Sequence, residues 1–255
     1  MRKYFVMHLK TSLEYKVSFI LTTIAQLINI VGSIFVLFSL FNKFGILKDF
    51  SLNECLLALS IVDLGYYYAE FIFRGFDSFA RLIVKGTFDI LLIRPENIYL
   101  QILGSEMEVT KVSRLIATLG IFIYALIVNN ISFSVLKIIT LIIAILSSIL
   151  IFASLMIIGA GICFYTIEGL EIVNIFTCGS RELGEYPMGI YGNKLKKIFT
   201  FIIPIACINY YPILYILGRT DNISYALAPL FSLVIVIFSI LFFNHSLRHY
   251  QSSGS

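Results

Sequence analysis

Two carboxylates inside an apolar stretch are the side chains of this sequence best suited to do chemistry. Asp63 and Glu70 are seven residues apart with Tyr67 between them, so a helix would place all three on one face. Acidic groups within a membrane are costly, and they face a cavity, pair with a base or relay protons. The spacing therefore indicates a polar lining for a transport path or a proton relay.

A second interpretation of the same pair needs no transport chemistry. Arg74 follows Glu70 by four residues, which is the spacing of a helical ion pair. Glu70 would then lie at the cytoplasmic headgroups beside Arg74, and Asp63 would be satisfied by neighbouring tyrosines. The sequence leaves both interpretations open.

Pro204 and Pro212 lie in one apolar stretch in the last quarter of the chain. Proline removes a backbone donor and bends a helix, and such breaks are tolerated where other helices or a water-filled path satisfy the backbone. Both prolines are therefore further candidates to line a pathway. Their segment is either a re-entrant element or a transmembrane helix with a kink.

Enzyme signatures are missing from the sequence. It contains no G-x-x-x-x-G-K-[ST] loop for ATP, no H-E-x-x-H and no G-x-S-x-G. His245 and His249 are four residues apart, but a metal site normally needs three or four ligands, and the four cysteines show no ligand-like spacing. We expect no catalytic residue, no metal site and no cofactor in this chain.

Composition places the chain in a membrane. Of its 255 residues 59% are hydrophobic and 13% are charged, whereas a soluble domain carries about 25% charged residues. The net charge of +4 comes from residues scattered over polar connections, so it reports topology and is not the footprint of a nucleic-acid partner. We expect an integral membrane protein that binds no nucleic acid.

The apolar runs predict an all-α membrane protein with six transmembrane helices in a single domain over residues 1–255. About 20 apolar residues suffice to cross a bilayer. The runs lie at about 17–41, 54–73, 115–128, 135–167, 198–217 and 226–243. Residues 1–16 carry apolar side chains at helical spacing together with basic ones, which is typical of an amphipathic interfacial helix that contacts membrane lipids. The alternative for this segment is a frayed terminus.

Basic residues predict the orientation of the six spans. With both termini in the cytoplasm, 15 of the 19 Lys and Arg residues fall in segments on the cytoplasmic side. One of these segments is the loop 168–197, which holds Arg181, Lys194, Lys196 and Lys197. The bias predicts that both ends of the chain lie inside.

The longest polar segment between spans, residues 74–114, is called the polar island here. It carries six basic residues, a turn residue at Gly86 and a helix-breaking Pro95. Such a loop either lies on the membrane surface or docks a cytoplasmic partner. Its mixed faces and its five acidic groups, which repel anionic lipid, favour docking of a protein.

Several patterns together resemble the ABC-2 type transporter permeases, in a bacterial subfamily long described as a domain of unknown function. They are an amphipathic N-terminal helix, six spans, a G-x-x-D-x-L-L-x-R-P sequence in the first cytoplasmic loop, and late tyrosine–proline motifs. The residues are Gly86, Asp89, Leu91, Leu92, Arg94, Pro95, Tyr186, Pro187, Ile190, Tyr191, Ile203, Pro204, Ile205, Ala206, Tyr210, Gly218, Arg248, Tyr250 and Gly254. The resemblance covers essentially the whole chain.

The resemblance implies a permease subunit of an ATP-binding-cassette exporter in the bacterial cytoplasmic membrane. A second copy or a homologous sister permease would complete the membrane core. Cytoplasmic ABC ATPase subunits would bind ATP and Mg²⁺ and would supply the Walker motifs that this chain lacks. Gly86, Asp89, Arg94 and Pro95 would then contain or adjoin the element that couples ATP hydrolysis to the membrane core.

Two other function classes compete with this one. The first is an ion- or proton-coupled secondary transporter that uses Asp63 and Glu70. The second is a membrane enzyme that acts on lipids, which the missing catalytic constellations disfavour. Because the predicted outside connections are short, the cargo would be selected within the spans or at their cytoplasmic mouth.

Overall fold

The computed structural model describes residues 2–46, 50–166, 169–186 and 188–250, without the side chains at 2, 3, 13 and 169–173. Within these ranges the regular structure is helical. Five helices are long and apolar enough to cross a membrane, and a bent pair of shorter helices would raise that number to six if it formed one span. Pro187 and Gly254, which contribute to the family resemblance, lie outside the described residues.

The first half of the chain forms one helix of 13 residues, then two long helices, then three short ones. These helices are α1 (Arg2–Glu14), α2 (Lys16–Phe44), α3 (Leu52–Asp77), α4 (Phe79–Val84), α5 (Thr87–Leu92) and α6 (Ile98–Ser105). α1 occupies the segment predicted to be an interfacial helix. It packs on the bundle through Phe5, whose ring lies 6.0 Å from that of Phe71, and His8, which bonds the Gly104 carbonyl at 3.0 Å.

The second half of the chain alternates long helices with short broken ones. These helices are α7 (Lys111–Val128), α8 (Val135–Ile162), α9 (Gly169–Gly184), α10 (Asn193–Phe201), α11 (Ala206–Asn209), α12 (Tyr211–Ile216), α13 (Ile223–Leu227) and α14 (Ser232–Leu247). A 3₁₀ turn, Ala228–Phe231, joins α13 to α14. α8 ends at Ile162, so the apolar run predicted over 135–167 is helical for 28 residues, about 42 Å.

The central helix of the bundle is α3. It begins with a capping box in which the Ser51 hydroxyl accepts from the Glu54 amide and the Glu54 carboxylate accepts from the Ser51 amide. Most of its residues are buried, because α7, α8 and α9 all pack against it. Gly65 lies against Ser148 of α8, where a side chain on Gly65 would overlap Ser148. A small residue is needed there for the two helices to approach.

The polar island folds into three short helices, α4, α5 and α6, at one end of the bundle, which is called the island end here. Gly86 takes the left-handed conformation, with φ 65°, and reverses the chain between α4 and α5. The Ser78 hydroxyl and the Arg81 guanidinium both donate to the Glu106 carboxylate, and the Tyr99 hydroxyl donates to Asn244 at 2.9 Å. These bonds attach the island to the ends of α3 and α14.

The opposite end of the bundle is marked by the start of α3. There Arg219 donates to the Glu54 carboxylate at 2.7 Å and lies 4.6 Å from the Phe50 ring. The Asn129 amide group donates to the Asn53 carbonyl at 2.9 Å, which ties the turn between α7 and α8 to the same place. The connections after α2, α7 and α12 therefore share this end.

The lysine cluster of the predicted cytoplasmic loop 168–197 lies at this opposite end as well. Lys196 on α10 is 4.1 Å from the Tyr210 ring, and Tyr210 is 6.1 Å from Phe50. The prediction that grouped Lys194, Lys196 and Lys197 with the island is therefore corrected. Counting basic residues misplaced them because it treats every polar stretch between two long apolar runs as a loop on one side.

The fifth passage through the bundle is made by α9. The chain before it is at the island end, where Tyr165 lies 6.0 Å from His249, and α9 then runs antiparallel to α3. α10 and the pair α11–α12 enclose an angle of 93° around Pro204, and they pack at the opposite end. The segment 198–217, predicted as a span with a kink or a re-entrant turn, is thus broken, and it enters and leaves the bundle on one side.

Candidate functional site

The first cluster of interest lies in the middle of the bundle, between α3 and α9. The Arg181 Nε donates to the Asp63 carboxylate at 2.8 Å, and one Arg181 terminal nitrogen donates to the Tyr67 hydroxyl at the same distance. Arg181 also lies 2.7 Å from the Glu185 carboxylate, one helical turn further along α9. The Asp63 side chain is 1% exposed. A guanidinium shared by two carboxylates therefore holds α9 on α3.

Two tyrosines of α3 extend this cluster. The Arg181 guanidinium lies 5.4 Å from the Tyr66 ring and 5.2 Å from the Tyr67 ring. Arg114 of α7 also lies near the Tyr67 ring, at 5.1 Å. Cationic groups near the faces of aromatic rings are stabilised by the ring quadrupole. The Tyr67 ring therefore contacts both guanidinium groups.

A cavity of about 730 Å³ opens beside these residues, between α2 and α9. Tyr66, Tyr67, Arg114 and Arg181 form its polar wall together with Glu182 and Glu185. Its other wall is the middle of α2, where Ile28 and Val36 are 65% and 51% exposed. This space is called the cleft here. It is open to the side of the bundle and charged at its base.

The second cluster surrounds Glu70, where α3 meets the beginning of α7. Lys111 lies 2.7 Å from the Glu70 carboxylate, and Arg74 lies 4.0 Å from it. Arg74 pairs more closely with Asp77, at 2.5 Å, and with Glu108, at 3.4 Å. The sequence-based alternative paired Glu70 with Arg74. These two residues are neighbours, but the cation nearest to Glu70 is Lys111. Five charged groups in mutual contact attach the island to α3 and α7.

The third cluster holds α5, which carries the predicted coupling residues. The Tyr250 hydroxyl donates to the Asp89 carboxylate at 2.9 Å. Phe88 is fully buried, with its ring 5.0 Å from those of Phe79 and Tyr250 and 5.6 Å from that of Phe164. Burial and the bond to Asp89 raise the pKa of Tyr250 above its ordinary value near 10, so the phenol remains a donor at neutral pH.

Beyond α5 the chain turns outward. Residues 92–97, called the docking tip here, are all exposed, and Ile93 is 82% exposed. Arg94 and Pro95 lie in this tip, whereas Gly86 and Asp89 lie under it. The four predicted coupling residues therefore divide into two that face outward and two that fix the conformation of α5.

The family to which this chain belongs is identified by a match over most of its length. The model of the ABC-2 family transporter proteins matches residues 27–254, which is most of the chain. The chain belongs to the ABC-2 family of transporter proteins. This ABC-2 protein is therefore the membrane component, the permease, of an ABC transporter. No curated protein and no solved structure matches it.

Sequence reasoning placed the two acids of the ABC-2 permease on one face of one helix, and the structure has both of them buried there. It missed Arg181 and Lys111 as their principal partners. Arg181 was assigned to a cytoplasmic loop, but it is followed by Glu185 at helical spacing in a segment that the family model also covers. A basic residue within reach of an intramembrane acid could have been found by asking what neutralises Asp63.

The two prolines of the ABC-2 permease do not line the cleft. Pro204 lies in the break between α10 and α11, and Pro212 is buried in the first turn of α12, where a missing amide costs little. Asn209 between them donates to the Gly184 carbonyl at 2.6 Å and to that of Tyr186 at 3.2 Å. The Asn209 side chain therefore satisfies backbone carbonyls at the end of α9 and ties the broken segment to that helix.

His245 and His249 of the permease have ring centroids 4.7 Å apart at the end of α14. The described part of the chain holds no group of three or more His, Cys, Asp or Glu side chains arranged to bind a metal ion. The His249 ring instead contacts the His245 carbonyl at 3.0 Å. These histidines cap the last turn of α14.

Proposed function

We propose that this permease is the membrane subunit of an exporter in the bacterial cytoplasmic membrane, powered by ATP that a separate subunit hydrolyses. Two permease copies, or one copy and a homologous sister permease, form the membrane core. Cytoplasmic ATPase subunits carry ATP and Mg²⁺ and dock on the island end. The chain itself contributes no residue to ATP hydrolysis.

One observation supports this proposal most directly, namely that the docking tip is exposed while its base is rigidly held. The tip presents Ile93, Arg94 and Pro95 outward, a mixture of an apolar anchor and a cation of the kind found at protein interfaces. Directly beneath it, Phe88 is fully buried among the aromatic rings of α4, α14 and the end of α8. A partner that pushed on the tip would move these helices rather than bend a loop.

The route from the island to the middle of the bundle is short. Only Ser78 separates α4 from α3, and α3 carries Glu70 and Asp63 in succession. Closure of the ATPase subunits would displace α4 and α5, and α3 would transmit that displacement to the contact with Arg181 on α9. The cleft between α2 and α9 would change shape as a result, which is the rearrangement that alternating access requires.

The first experiment is a purification of tagged protein from native membranes in mild detergent, with identification of the proteins that co-purify. A stoichiometric soluble subunit with a Walker A loop is expected. We further expect Ile93→Asp to reduce recovery of that subunit. Ile46→Asp, at a residue that is 73% exposed at the opposite end, is the matched control and should recover it in full.

Two outcomes would contradict the proposal. One is recovery of the permease alone under conditions in which other ABC complexes of the same membranes stay intact. The other is equal recovery of the ATPase with Ile93→Asp and Ile46→Asp. In a complex reconstituted from both subunits, Arg94→Ala should leave ATP hydrolysis running while transport falls, because the tip no longer transmits movement.

The alternative of a proton- or ion-coupled transporter finds less support. Asp63 and Glu70 each lie within 3 Å of a basic group, Arg181 and Lys111 respectively. Each acid therefore takes part in an ion pair that joins two helices, which is a structural role that needs no proton transport. If transport persisted without ATP and was abolished by Asp63→Asn, this alternative would replace the exporter.

A further inference from the structure

The cleft contains Arg114, a cation that forms no ion pair with the carboxylates of the described residues. Arg114 lines the cleft, and its Nε is buried with no acceptor among the residues that the structure describes. Its guanidinium contacts the face of Tyr67, and no described carboxylate lies within ion-pair distance of it. A guanidinium has five N–H donors in a planar fork that suits carboxylate and phosphate oxygens. Arg114 therefore indicates a ligand with an acidic group.

The same cleft contains an acidic side chain with no cationic partner among the residues that the structure describes. Arg181 is occupied by Asp63 and Glu185, whereas the neighbouring Glu182 is exposed and makes no ion pair within the described part of the chain. Glu182 and Arg114 lie on different helices, α9 and α7, and both line the cleft. A ligand complementary to both would carry one acidic and one basic group.

The remaining wall of the cleft is suited to hydrocarbon. Ile28 and Val36 of α2 are exposed toward the side of the bundle, with Gly32 between them leaving open space. An acyl chain could lie along this stripe of α2 while its headgroup reaches the charged base. A soluble polar molecule would leave the apolar wall unused, so the cleft as a whole fits an amphiphile.

We propose that the cleft binds a zwitterionic amphiphile, whose acidic group is bound by Arg114 and whose ammonium group is bound by Glu182. This inference rests on the proposed exporter function, because it names the class of molecule on which that exporter acts. The headgroup enters sideways from the membrane between α2 and α9. Tyr66 and Tyr67 form the floor on which the headgroup rests.

The lack of tryptophan in the chain allows a direct test. A single Ile28→Trp reporter is placed in the cleft, and a single Ile237→Trp reporter on α14, where residue 237 is 60% exposed, serves as the control. Each is reconstituted in nanodiscs with equal amounts of phosphatidylethanolamine and phosphatidylglycerol. Two samples of each reporter are compared. In one the phosphatidylethanolamine carries bromine on its acyl chains, and in the other the phosphatidylglycerol does. Because the lipid composition is the same in both, the difference in quenching reports which lipid lies next to the reporter.

Brominated phosphatidylethanolamine is expected to quench the reporter at residue 28 about two- to fivefold more than brominated phosphatidylglycerol, in line with one or two partly screened charge contacts. The reporter at residue 237 should be quenched equally by both. Arg114→Gln and Glu182→Gln should each remove the difference, and Arg114→Lys should retain part of it. Lys43→Gln, a charge change away from the cleft, should leave it intact.

Equal quenching at residue 28 by both lipids would overturn the proposal, and so would a preference for phosphatidylglycerol. A preference that survives both Arg114→Gln and Glu182→Gln would overturn it too. Far-UV circular dichroism and a single elution peak identify variants that fold. Because no ATPase takes part, a negative result leaves the exporter function standing, whereas failure to recover an ATPase subunit leaves the quenching result standing.

Discussion

Arg181 and Asp63 are 118 residues apart in the sequence, and their side chains meet at 2.8 Å in the middle of the bundle. This contact fixes how α9 is aligned along α3. One helical turn away Cys178 contacts Tyr66, and the order of the two contacts shows that the helices are antiparallel. It also brings the side chain of Glu185 to the same guanidinium. The two acids share one base, so removal of either acid has a different consequence from removal of the base.

Arg181→Gln is expected to destabilise the protein more than Asp63→Asn. Loss of the base leaves Asp63 buried and unpaired, which costs about 3–5 kcal/mol for a buried pair. Loss of Asp63 leaves Arg181 still paired with Glu185, so about 1–3 kcal/mol is expected. The measurement is denaturant-induced unfolding in detergent micelles, followed by circular dichroism.

Tyr67→Phe is the matched control for this pair, because it removes the hydroxyl that accepts a hydrogen bond from Arg181 and keeps the ring. It should cost about 1 kcal/mol. If Asp63→Asn lowered the free energy of unfolding as much as Arg181→Gln or more, Glu185 would not share the Arg181 guanidinium.

Gly65→Ala should be strongly destabilising, whereas Gly120→Ala should be neutral or stabilising. An added methyl group at residue 65 would overlap the backbone and side chain of Ser148, but at residue 120 it meets nothing within 4 Å. Overpacking costs about 1–3 kcal/mol, and replacing glycine by alanine within an open helix gains about 0.5–1 kcal/mol. Thermal unfolding of the two purified variants compares them directly, and similar midpoints would contradict the close approach of α3 and α8.

Tyr250→Phe should loosen α5 without disturbing the aromatic packing around it. The variant loses the bond to Asp89 but keeps the ring that lies 5.0 Å from Phe88. We expect faster hydrogen exchange at the amides of residues 87–92, measured by mass spectrometry, and a smaller fraction of ATP turnovers coupled to transport. Tyr250→Ala, which loses both contacts, should give a larger effect, and unchanged exchange in both variants would contradict the anchoring.

The hydrogen bond between Tyr250 and Asp89 predicts that the protection of α5 from hydrogen exchange depends on pH. Because the pKa of Tyr250 is raised in the folded protein, the bond stabilises α5 fully below the ordinary tyrosine pKa near 10 and is lost as the pH rises through the folded value. Protection of residues 87–92 should therefore be constant at neutral pH and fall in strong base. In Tyr250→Phe this alkaline loss should be absent.

Side-specific labelling should place Lys197 together with Asp221 and apart from Arg94. In a background without the four native cysteines, Lys197→Cys and Asp221→Cys should react with the same membrane-impermeant maleimide from one side of the membrane, and Arg94→Cys from the other. The reason is that α10 lies with Phe50 and Arg219 at the opposite end of the bundle. Labelling of Lys197→Cys together with Arg94→Cys would restore the predicted loop 168–197.

The sequence specified the long helices because their apolar runs have a length that little else explains. α2 and α3 extend past both ends of their predicted spans, and α14 past the C-terminal end of its own, because helices continue into the polar flanks. The N-cap Ser51 marks such an end of α3. The polar island resolved into α4, α5 and α6 at Gly86 and Pro95, the two residues that had already marked turns. Such features depend on local chemistry and can be read locally.

The position of α9 could not be predicted from the local sequence. α9 has 16 residues with Arg181 and Glu182 near its end, so it lacks the hydrocarbon length that identifies a span. Its charge is offset by Asp63, a residue from another helix, and a pairing over such a sequence distance is not encoded in composition. The apolar run 198–217 has the length of a span, but the break at Pro204 turns it back. Local hydropathy therefore favoured 198–217 as a span, whereas the structure bends this part of the chain by 93°.

The close contact of Gly65 with Ser148 marks a point near the middle of α3 about which the helix would pivot. One arm, from Gly65 to Asp77, measures about 18 Å, and the other, from Gly65 to Leu52, measures about 20 Å. If the proposed ATPase subunits push α4 inward, arms of nearly equal length would turn that push into an outward displacement of similar size at Glu54 and Arg219. Under the proposed function, one stiff helix would then link opening at one end of the bundle to closing at the other.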